Sequence, residues 1–224
     1  MPRLDARFPV LRRSRAARRA FTLLESMMAL VIVALGVLAF VDAQSAFTRS
    51  NTWSSQAATG MLLANEIREM TRQMTRHDSV TGLVAQGGVA VGWGREAGEV
   101  SVDDLDDLDD LDGVTFGDGG LFAGPVDAFG QVIPEIDLSG EIVIGTEGEP
   151  VSLTGWRQIV SVEKVDPYNF SQVRPDVYEQ QPSSQLPFIA IDGFPLRVTV
   201  SVTYQALGET QATEITKLTW IVPP

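Results

Sequence analysis

The most constraining feature of this sequence is an uncharged apolar run that follows a single acidic residue. Residues 27–41 read MMALVIVALGVLAFV, fifteen positions without a charge. A membrane-spanning helix needs about 20 apolar residues, so the run is short for a span by itself. Adding residues 21–24 supplies the length, but the extended helix then includes Glu25. A carboxylate there costs ~2.5–3.5 kcal/mol on insertion, which indicates either a function or a place at the headgroup boundary.

The residues around Glu25 resemble the processing site of type IV prepilins and of the related pseudopilins of type II secretion. The matching residues are Ala20-Phe21-Thr22-Leu23-Leu24-Glu25. In that family a membrane aspartyl peptidase removes a short basic leader and N-methylates the new terminus. The resemblance therefore implies removal of residues 1–20 by cleavage after Ala20, methylation at Phe21, and a role in assembly for Glu25. Position 20 is usually Gly in the family, and Ala20 is a small substitute.

The apolar segment is more similar to minor pilins and minor pseudopilins than to major subunits. The helix-breaking Pro common in major pilins is absent, and Asp42 stands at its position. The resemblance implies a minor pilin-like structural subunit of a type IV pilus-type filament, with a minor pseudopilin of type II secretion as the alternative. It also implies three partners: a prepilin peptidase/methyltransferase, other pilin or pseudopilin subunits, and an inner-membrane assembly platform.

The first 20 residues are strongly basic, with seven Arg and one Asp. Positive charge before an apolar helix keeps the N-terminus cytoplasmic, so we expect the remainder of the chain to face the periplasm from the inner membrane. Two other interpretations stay open for a basic N-terminus. One is a nucleic-acid-binding arm, and the other is an ordinary secretory signal cut after its apolar region, in the small residues between 34 and 46.

The rest of the chain is acidic and lacks cysteine. The whole chain has a net charge of −12, and removing a leader of +6 leaves −18. Because phosphate backbones are bound through Lys and Arg, we expect no nucleic-acid partner. Without disulfides a hydrophobic core must hold the fold together. The sequence predicts three parts: a leader at 1–20, an apolar transmembrane or assembly half-helix at 21–47, and a periplasmic globular pilin-like body at 48–224.

The helical pattern continues beyond the apolar run. Small and apolar residues recur at intervals of three and four and form one stripe; they are Trp53, Ala57, Gly60, Ala64, Ile67, Thr71 and Met74. No Pro interrupts residues 11–124, so the pattern predicts one helix from about residue 21 to about residue 76. We interpret the stripe as a core-facing surface, because a cofactor site is much rarer on such a pattern.

The second half of the chain has the pattern of strands. Residues 196–204 (LRVTVSVTY) alternate apolar and polar side chains, the period of a half-buried antiparallel strand. Further strands are predicted at 141–144, 156–165 and 214–222, with Pro-rich coil at 166–195 and one short strand at most in the Gly-rich segment 78–98. The predicted fold is α+β: a long N-terminal α-helix, its apolar half in the membrane or fibre core, packed on a 3–4-stranded antiparallel sheet.

One low-complexity segment, residues 102–113, contains three Asp-Asp-Leu units. Seven carboxylates fall in ten residues; they are Asp103, Asp104, Asp106, Asp107, Asp109, Asp110 and Asp112. Their repulsion could be relieved by a hard cation such as Ca²⁺, the one cofactor that the sequence suggests, although the EF-hand template does not fit. The alternative is a solvated acidic loop. We expect the leucines to pin the loop to the body and the Asp pairs to point outward. Some type II secretion pseudopilins bind calcium in a loop.

The sequence contains no pattern typical of an enzyme. There is no Cys nucleophile, phosphate-binding Gly loop, zinc-ligand spacing or Gly-x-Ser-x-Gly elbow. His77 is the sole histidine, and its place near the predicted helix end is typical of a solvent-facing residue. We therefore expect a structural subunit and no catalytic activity. A signal-anchored periplasmic binding module is the alternative from a different class.

Overall fold

The fold combines one long helix with antiparallel sheets, as the sequence predicted. The computed structural model describes residues 22–224. The chain divides into two compact units, with the boundary between Asn51 and Thr52. In the described residues the only α-helix is α1, Leu23–Thr71, which contributes residues to both units. The second unit contains the hydrophobic core and all the strands.

Helix α1 ends about one turn before the predicted boundary. After Thr71 the chain forms a tighter turn, in which the Arg72 N–H donates to the Glu69 carbonyl at 3.2 Å. Thr75 then pairs with Asp107 in a parallel β-bridge, and the Leu108 N–H donates to the Thr75 carbonyl at 2.9 Å. The helical pattern continues in the sequence, but the backbone groups of Thr75 are used by the acidic segment instead.

The predicted apolar stripe of α1 is buried only in its last turns. The buried residues of the helix are Gly60, Leu63, Ala64, Ile67, Met70 and Thr71. Trp53, by contrast, is mostly exposed. At Gly60 the helix lies close to the sheet, because a Cβ at this position would lie 2.9 Å from the Ile215 side chain. The absence of a side chain at Gly60 therefore allows α1 to pack on the sheet.

A five-stranded antiparallel sheet covers the buried part of α1. Its strands are β3 (Thr115–Gly117), β4 (Trp156–Asp166), β5 (Asn169–Val173), β6 (Leu196–Tyr204) and β7 (Thr213–Val222). The order is β3-β4-β6-β7, and β5 pairs with β4. Strand β4 pairs with β6 from Trp156↔Tyr204 to Lys164↔Leu196. Alternate residues of β4 and β6 are buried, so their valines form the sheet side of the core.

The strand count exceeds the predicted three or four. Strands β4, β6 and β7 are confirmed with nearly the predicted bounds, whereas β3 and β5 were not expected. The region 78–98 contains a hairpin of β1 (Val84–Gln86) and β2 (Val89–Val91), where one short strand at most was predicted. The predicted strand at 141–144 does not form, and this segment makes only isolated β-bridges.

A buried glutamine of β4 links this strand to α1 and to the loop that contains Val126. Gln158 is fully buried. Its Nε2 donates to the carbonyls of Leu63 at 2.9 Å and Val126 at 3.0 Å, and its Oε1 accepts the Val126 N–H at 2.8 Å. All three contacts lie in the second unit, so this side chain fixes the helix, the sheet and the loop at one point.

Candidate functional site

The first turn of α1 is capped by residues of the predicted processing segment. The Glu25 N–H donates to Thr22 Oγ1 at 3.3 Å, and the helix begins at Leu23. A threonine followed three residues later by a glutamate is the capping-box pattern, in which side chains accept from N–H groups that lack partners within the helix. The partial positive charge of the helix N-terminus also favours a carboxylate at Glu25. Thr22 and Glu25 thus define where the apolar helix starts.

Two predicted processing residues, Ala20 and Phe21, lie outside the described residues, as does the rest of the leader. Cleavage after Ala20 and methylation at Phe21 therefore stay predictions. Of the processing segment, the structure places Thr22, Leu23, Leu24 and Glu25, and all four are exposed.

The apolar residues after Glu25 are exposed throughout the first unit. Helix α1 contains an 18-residue window with a mean hydropathy of 2.4, none of it buried, so by length and composition it qualifies as a candidate membrane span. Contiguous apolar surface of this extent is unfavourable in water and marks a membrane or protein contact. Side chains that are more than 60% exposed include Leu24, Leu30, Ile32, Leu38 and Phe40.

The leucines of the Asp-Asp-Leu repeat anchor the acidic segment in the core. Leu105, Leu108 and Leu111 are all buried, as the sequence predicted. Two 3₁₀-helices, Val102–Asp104 and Asp109–Leu111, shape the segment. Leu111 lies in the second of these helices, whereas Leu105 follows the first and Leu108 precedes the second.

The prediction that the Asp pairs point outward is wrong for Asp107, Asp109 and Asp110, which are as buried as the leucines. Asp107 Oδ1 accepts the N–H groups of Asp109 and Asp110 at 3.0 and 3.1 Å. Asp110 Oδ2 accepts those of Asp106 and Asp107 at 3.2 and 3.3 Å. These carboxylates are buried because they satisfy main-chain donors of the turns, a common use of Asp.

The third buried aspartate pairs with the histidine. His77 Nδ1 lies 2.8 Å from Asp109 Oδ1, with side-chain exposures of 7% and 1%. The Gly94 N–H donates to the other oxygen, Asp109 Oδ2, at 3.0 Å. The Trp93 ring lies 5.9 Å from the imidazole. The prediction of a solvent-facing His77 is therefore wrong, because α1 ends early and the acidic segment covers this residue.

The remaining aspartates do not converge on one point. Asp104 Oδ2 accepts from the Ser101 hydroxyl and from the N–H groups of Ser101 and Val100, and these bonds lower the pKa of Asp104. Asp112 Oδ1 accepts the Val162 N–H of strand β4 at 2.9 Å. Asp103 is exposed. The seven predicted ligands thus do not form a single cation site.

The structure instead brings Asp110 together with two glutamates that no sequence pattern had indicated as ligands. One carboxylate oxygen each of Glu96, Glu99 and Asp110 lie within 4.8 Å of one another. Burial, the Glu99 side chain and the charge of Asp110 raise the pKa of Glu96 to about 7. Burial and the charge of Glu99 raise the pKa of Asp110 to about 6. The glutamates lie in the Gly-rich connection, where no pattern in the sequence signals the contact.

A lysine is also buried in the second unit. Lys164 is fully buried, and its Nζ donates to the Asp176 carbonyl. The ammonium lies 5.8 Å from the Trp93 ring centroid and 5.6 Å from that of Phe194. Burial lowers the pKa of Lys164 to about 8, since removal from water disfavours the charged form.

The comparisons with known proteins concern the N-terminal segment. Residues 15–41 match the family model of the prokaryotic N-terminal methylation motif. No curated protein and no solved structure matches the chain significantly. The matched residues include the processing segment, Glu25 and the whole apolar run, the same residues that carry the resemblance. The N-terminal segment therefore carries the methylation motif, which supports its likeness to type IV pilins and pseudopilins.

Proposed function

We propose that the chain is a minor pilin-like structural subunit of a type IV pilus-type filament. The observation that carries the proposal is the methylation motif at residues 15–41, whose apolar run is exposed on helix α1. In this proposal prepilin peptidase cleaves after Ala20 and the same enzyme methylates Phe21. The mature chain then begins one residue before the Thr22 cap of α1. The subunit is a substrate of that enzyme and has a structural role of its own.

The apolar part of α1 has two successive environments in this proposal. Before assembly it lies in the inner membrane, with the basic leader cytoplasmic and the second unit periplasmic. On extraction it packs against the helices of other subunits, which replace lipid as the cover of the exposed side chains. Both environments remove apolar surface from water, so transfer from the membrane to the fibre costs little free energy in the hydrophobic term.

Glu25 helps to set the axial register between neighbouring subunits in the assembled fibre. Its carboxylate is the first charge of α1 and would meet the N-terminal amine of a neighbouring subunit. Taking both charges out of water is costly, and their attraction offsets this cost only when they meet. A subunit shifted along the bundle axis would leave both charges unpaired in apolar surroundings. Glu25 therefore disfavours wrong registers more than it adds net stability.

Intact-mass analysis of the chain extracted from membranes tests the processing step. The expected species begins at N-methylated Phe21, and a strain without prepilin peptidase provides the control that retains residues 1–20. A mature protein that still begins at Met1, or one that begins near Ala43, would contradict the proposal. The second of these outcomes would indicate an ordinary secretory signal, and the first a signal-anchored periplasmic module.

The same motif serves pilins and secretion pseudopilins, so a second experiment separates the two. A minor pilin is expected in sheared surface filaments, and its deletion should reduce filament number. A minor pseudopilin is expected to leave the filaments unchanged, and its deletion should stop the export of secreted proteins. Localisation of the tagged chain in sheared filaments, together with the secreted-protein profile of the deletion strain, distinguishes them.

A further inference from the structure

We propose that Glu96, Glu99 and Asp110 bind one Ca²⁺ ion in the second unit. The three side chains come from two segments of the chain, and their oxygens lie within 4.8 Å of one another. Ca²⁺ binds oxygen at about 2.4 Å, so ligands on opposite sides of one ion are about 5 Å apart. The spacing of this carboxylate cluster therefore fits a single ion of this size.

Two oxygens of the cluster are buried and have no partner. Asp110 is fully buried, and its Oδ1 accepts no hydrogen bond, although its Oδ2 accepts two. Glu96 Oε1 is buried without a partner as well. None of the ion pairs among residues 22–224 involves these three carboxylates. Buried charges are normally paired, hydrogen-bonded or bound to metal, so the unpaired oxygens point to a ligand.

The cluster requires either protons or a cation. Three carboxylates this close repel one another, and the raised pKa values of Glu96 and Asp110 reflect that repulsion together with burial. A proton satisfies one oxygen at a time, whereas a divalent cation contacts all three carboxylates at once. Ca²⁺ is favoured over Mg²⁺ because it accepts 6–8 oxygens in irregular arrangements, and glutamates can supply two oxygens each.

A second group of carboxylates shares Asp110 but is a weaker candidate. Asp106, Asp107 and Asp110 also bring oxygens within 4.8 Å of one another. Asp107 Oδ1 and Asp110 Oδ2, however, already accept two main-chain N–H groups each. An ion there would compete with the bonds that form the turns. In the cluster with Glu96 and Glu99, by contrast, Asp110 Oδ1 and Glu96 Oε1 accept no hydrogen bond, and Glu99 Oε2 accepts a single main-chain N–H, that of Glu96, at 2.8 Å.

The test uses the full chain in detergent micelles after removal of metal with a chelator. Calcium titration by calorimetry gives the affinity, and thermal unfolding gives the stabilisation. We expect the melting temperature to rise by about 5 °C in excess Ca²⁺, since an ion that binds only the folded state stabilises it by mass action. Equal concentrations of Mg²⁺ should give a clearly smaller rise. Neither readout depends on filament assembly.

Four variants locate the site. Glu96→Gln and Glu99→Gln should each lower Ca²⁺ affinity at least tenfold, and both should remain folded without calcium because each removes a repelling charge. Asp110→Asn should lower the Ca²⁺ affinity to the same extent. This variant also changes the carboxylate whose Oδ2 accepts the N–H groups of Asp106 and Asp107. Asp103→Asn, an exposed aspartate of the same repeat, is the control and should bind like the wild type.

Three results would overturn the proposal. One is a wild-type chain that gives no binding heat and no shift in melting temperature. Another is a shift that Mg²⁺ matches, which would indicate screening of the acidic surface. The last is wild-type affinity in both Glu96→Gln and Glu99→Gln, which would place any ion elsewhere in the acidic segment.

Discussion

The imidazole of His77 and the carboxylate of Asp109 meet inside the second unit, with 2.8 Å between Nδ1 and Oδ1. A carboxylate can only accept, so His77 donates from Nδ1. Asp109 also accepts from the Gly94 N–H, and it thereby joins the turn that follows α1, the Gly-rich connection and the acidic segment. This one residue holds together three segments that no sequence pattern relates.

We expect Asp109→Ala to destabilise the second unit by about 3 kcal/mol, because it leaves the buried donors of His77 and Gly94 without an acceptor. Asp103→Ala, an exposed site in the same repeat, should change stability by less than about 0.5 kcal/mol. Urea unfolding followed by tryptophan fluorescence measures both, in chelator so that metal binding does not contribute. Equal stabilities of the two variants would show that the buried pair is unimportant.

We expect Gln158→Leu to lower the free energy of unfolding by about 3 kcal/mol, although the change leaves no large cavity. The change leaves both Val126 backbone groups buried without a partner, and it also removes the bond that Gln158 adds to the helical Leu63 carbonyl. Gln131→Leu, on an exposed turn, is the matched control and should be near neutral. A Gln158→Leu variant as stable as the control in urea unfolding would contradict this role.

We expect Lys164→Met to change how stability depends on pH. The pKa of Lys164 is about 8 in the folded chain, below its ordinary value of 10.5, so the folded state holds fewer protons between these values. The penalty for burying the charge is complete below pH 8 and disappears as pH rises to 10.5. The stability of Lys164→Met relative to the wild type should therefore fall across this interval.

Lys217→Met is the control for the pH experiment, because Lys217 is exposed on strand β7. The stability of Lys217→Met relative to the wild type gives the pH dependence that follows from the loss of an exposed lysine. Unfolding midpoints in urea at four or five pH values give both curves. Parallel curves for the two variants would mean that Lys164 titrates like an ordinary surface lysine.

We expect Glu25→Ala to enter the membrane and to be cleaved normally, since removal of a charge eases insertion. Its amount in sheared filaments should fall at least tenfold. Asp42→Ala removes the other exposed acid of the first unit's part of α1 and should assemble like the wild type. Immunoblots of membrane and filament fractions compare the variants. Normal incorporation of Glu25→Ala would leave Glu25 as a charge at the headgroup boundary and nothing more.

The main elements of the fold follow from regular patterns in the sequence. Leu196–Tyr204 alternates without a break and forms β6 over that range. Strand β5 was missed because its residues, NFSQV, are exposed at every position and do not alternate between apolar and polar side chains. Strand β3 has three residues, too few to show a period. Both strands are held by their pairing with β4.

The candidate site was predictable to a smaller extent. The period of three identified Leu105, Leu108 and Leu111 as anchors, because apolar spacing reports burial directly. It could not show which carboxylates turn inward, since that depends on which main-chain N–H groups the turns leave without partners. The contact of Asp110 with Glu96 and Glu99 joins distant parts of the chain, and only the tertiary structure reveals such a contact.

The burial of the repeat has a consequence for how this segment can evolve. Tandem repeats of short units commonly gain or lose copies when DNA replication slips. Here each leucine occupies a different position in the core, and Asp107, Asp109 and Asp110 have different hydrogen-bond partners. The insertion or deletion of one unit would displace Asp112, and its carboxylate could then no longer accept the Val162 N–H of β4. Selection on folding should therefore hold the copy number at three.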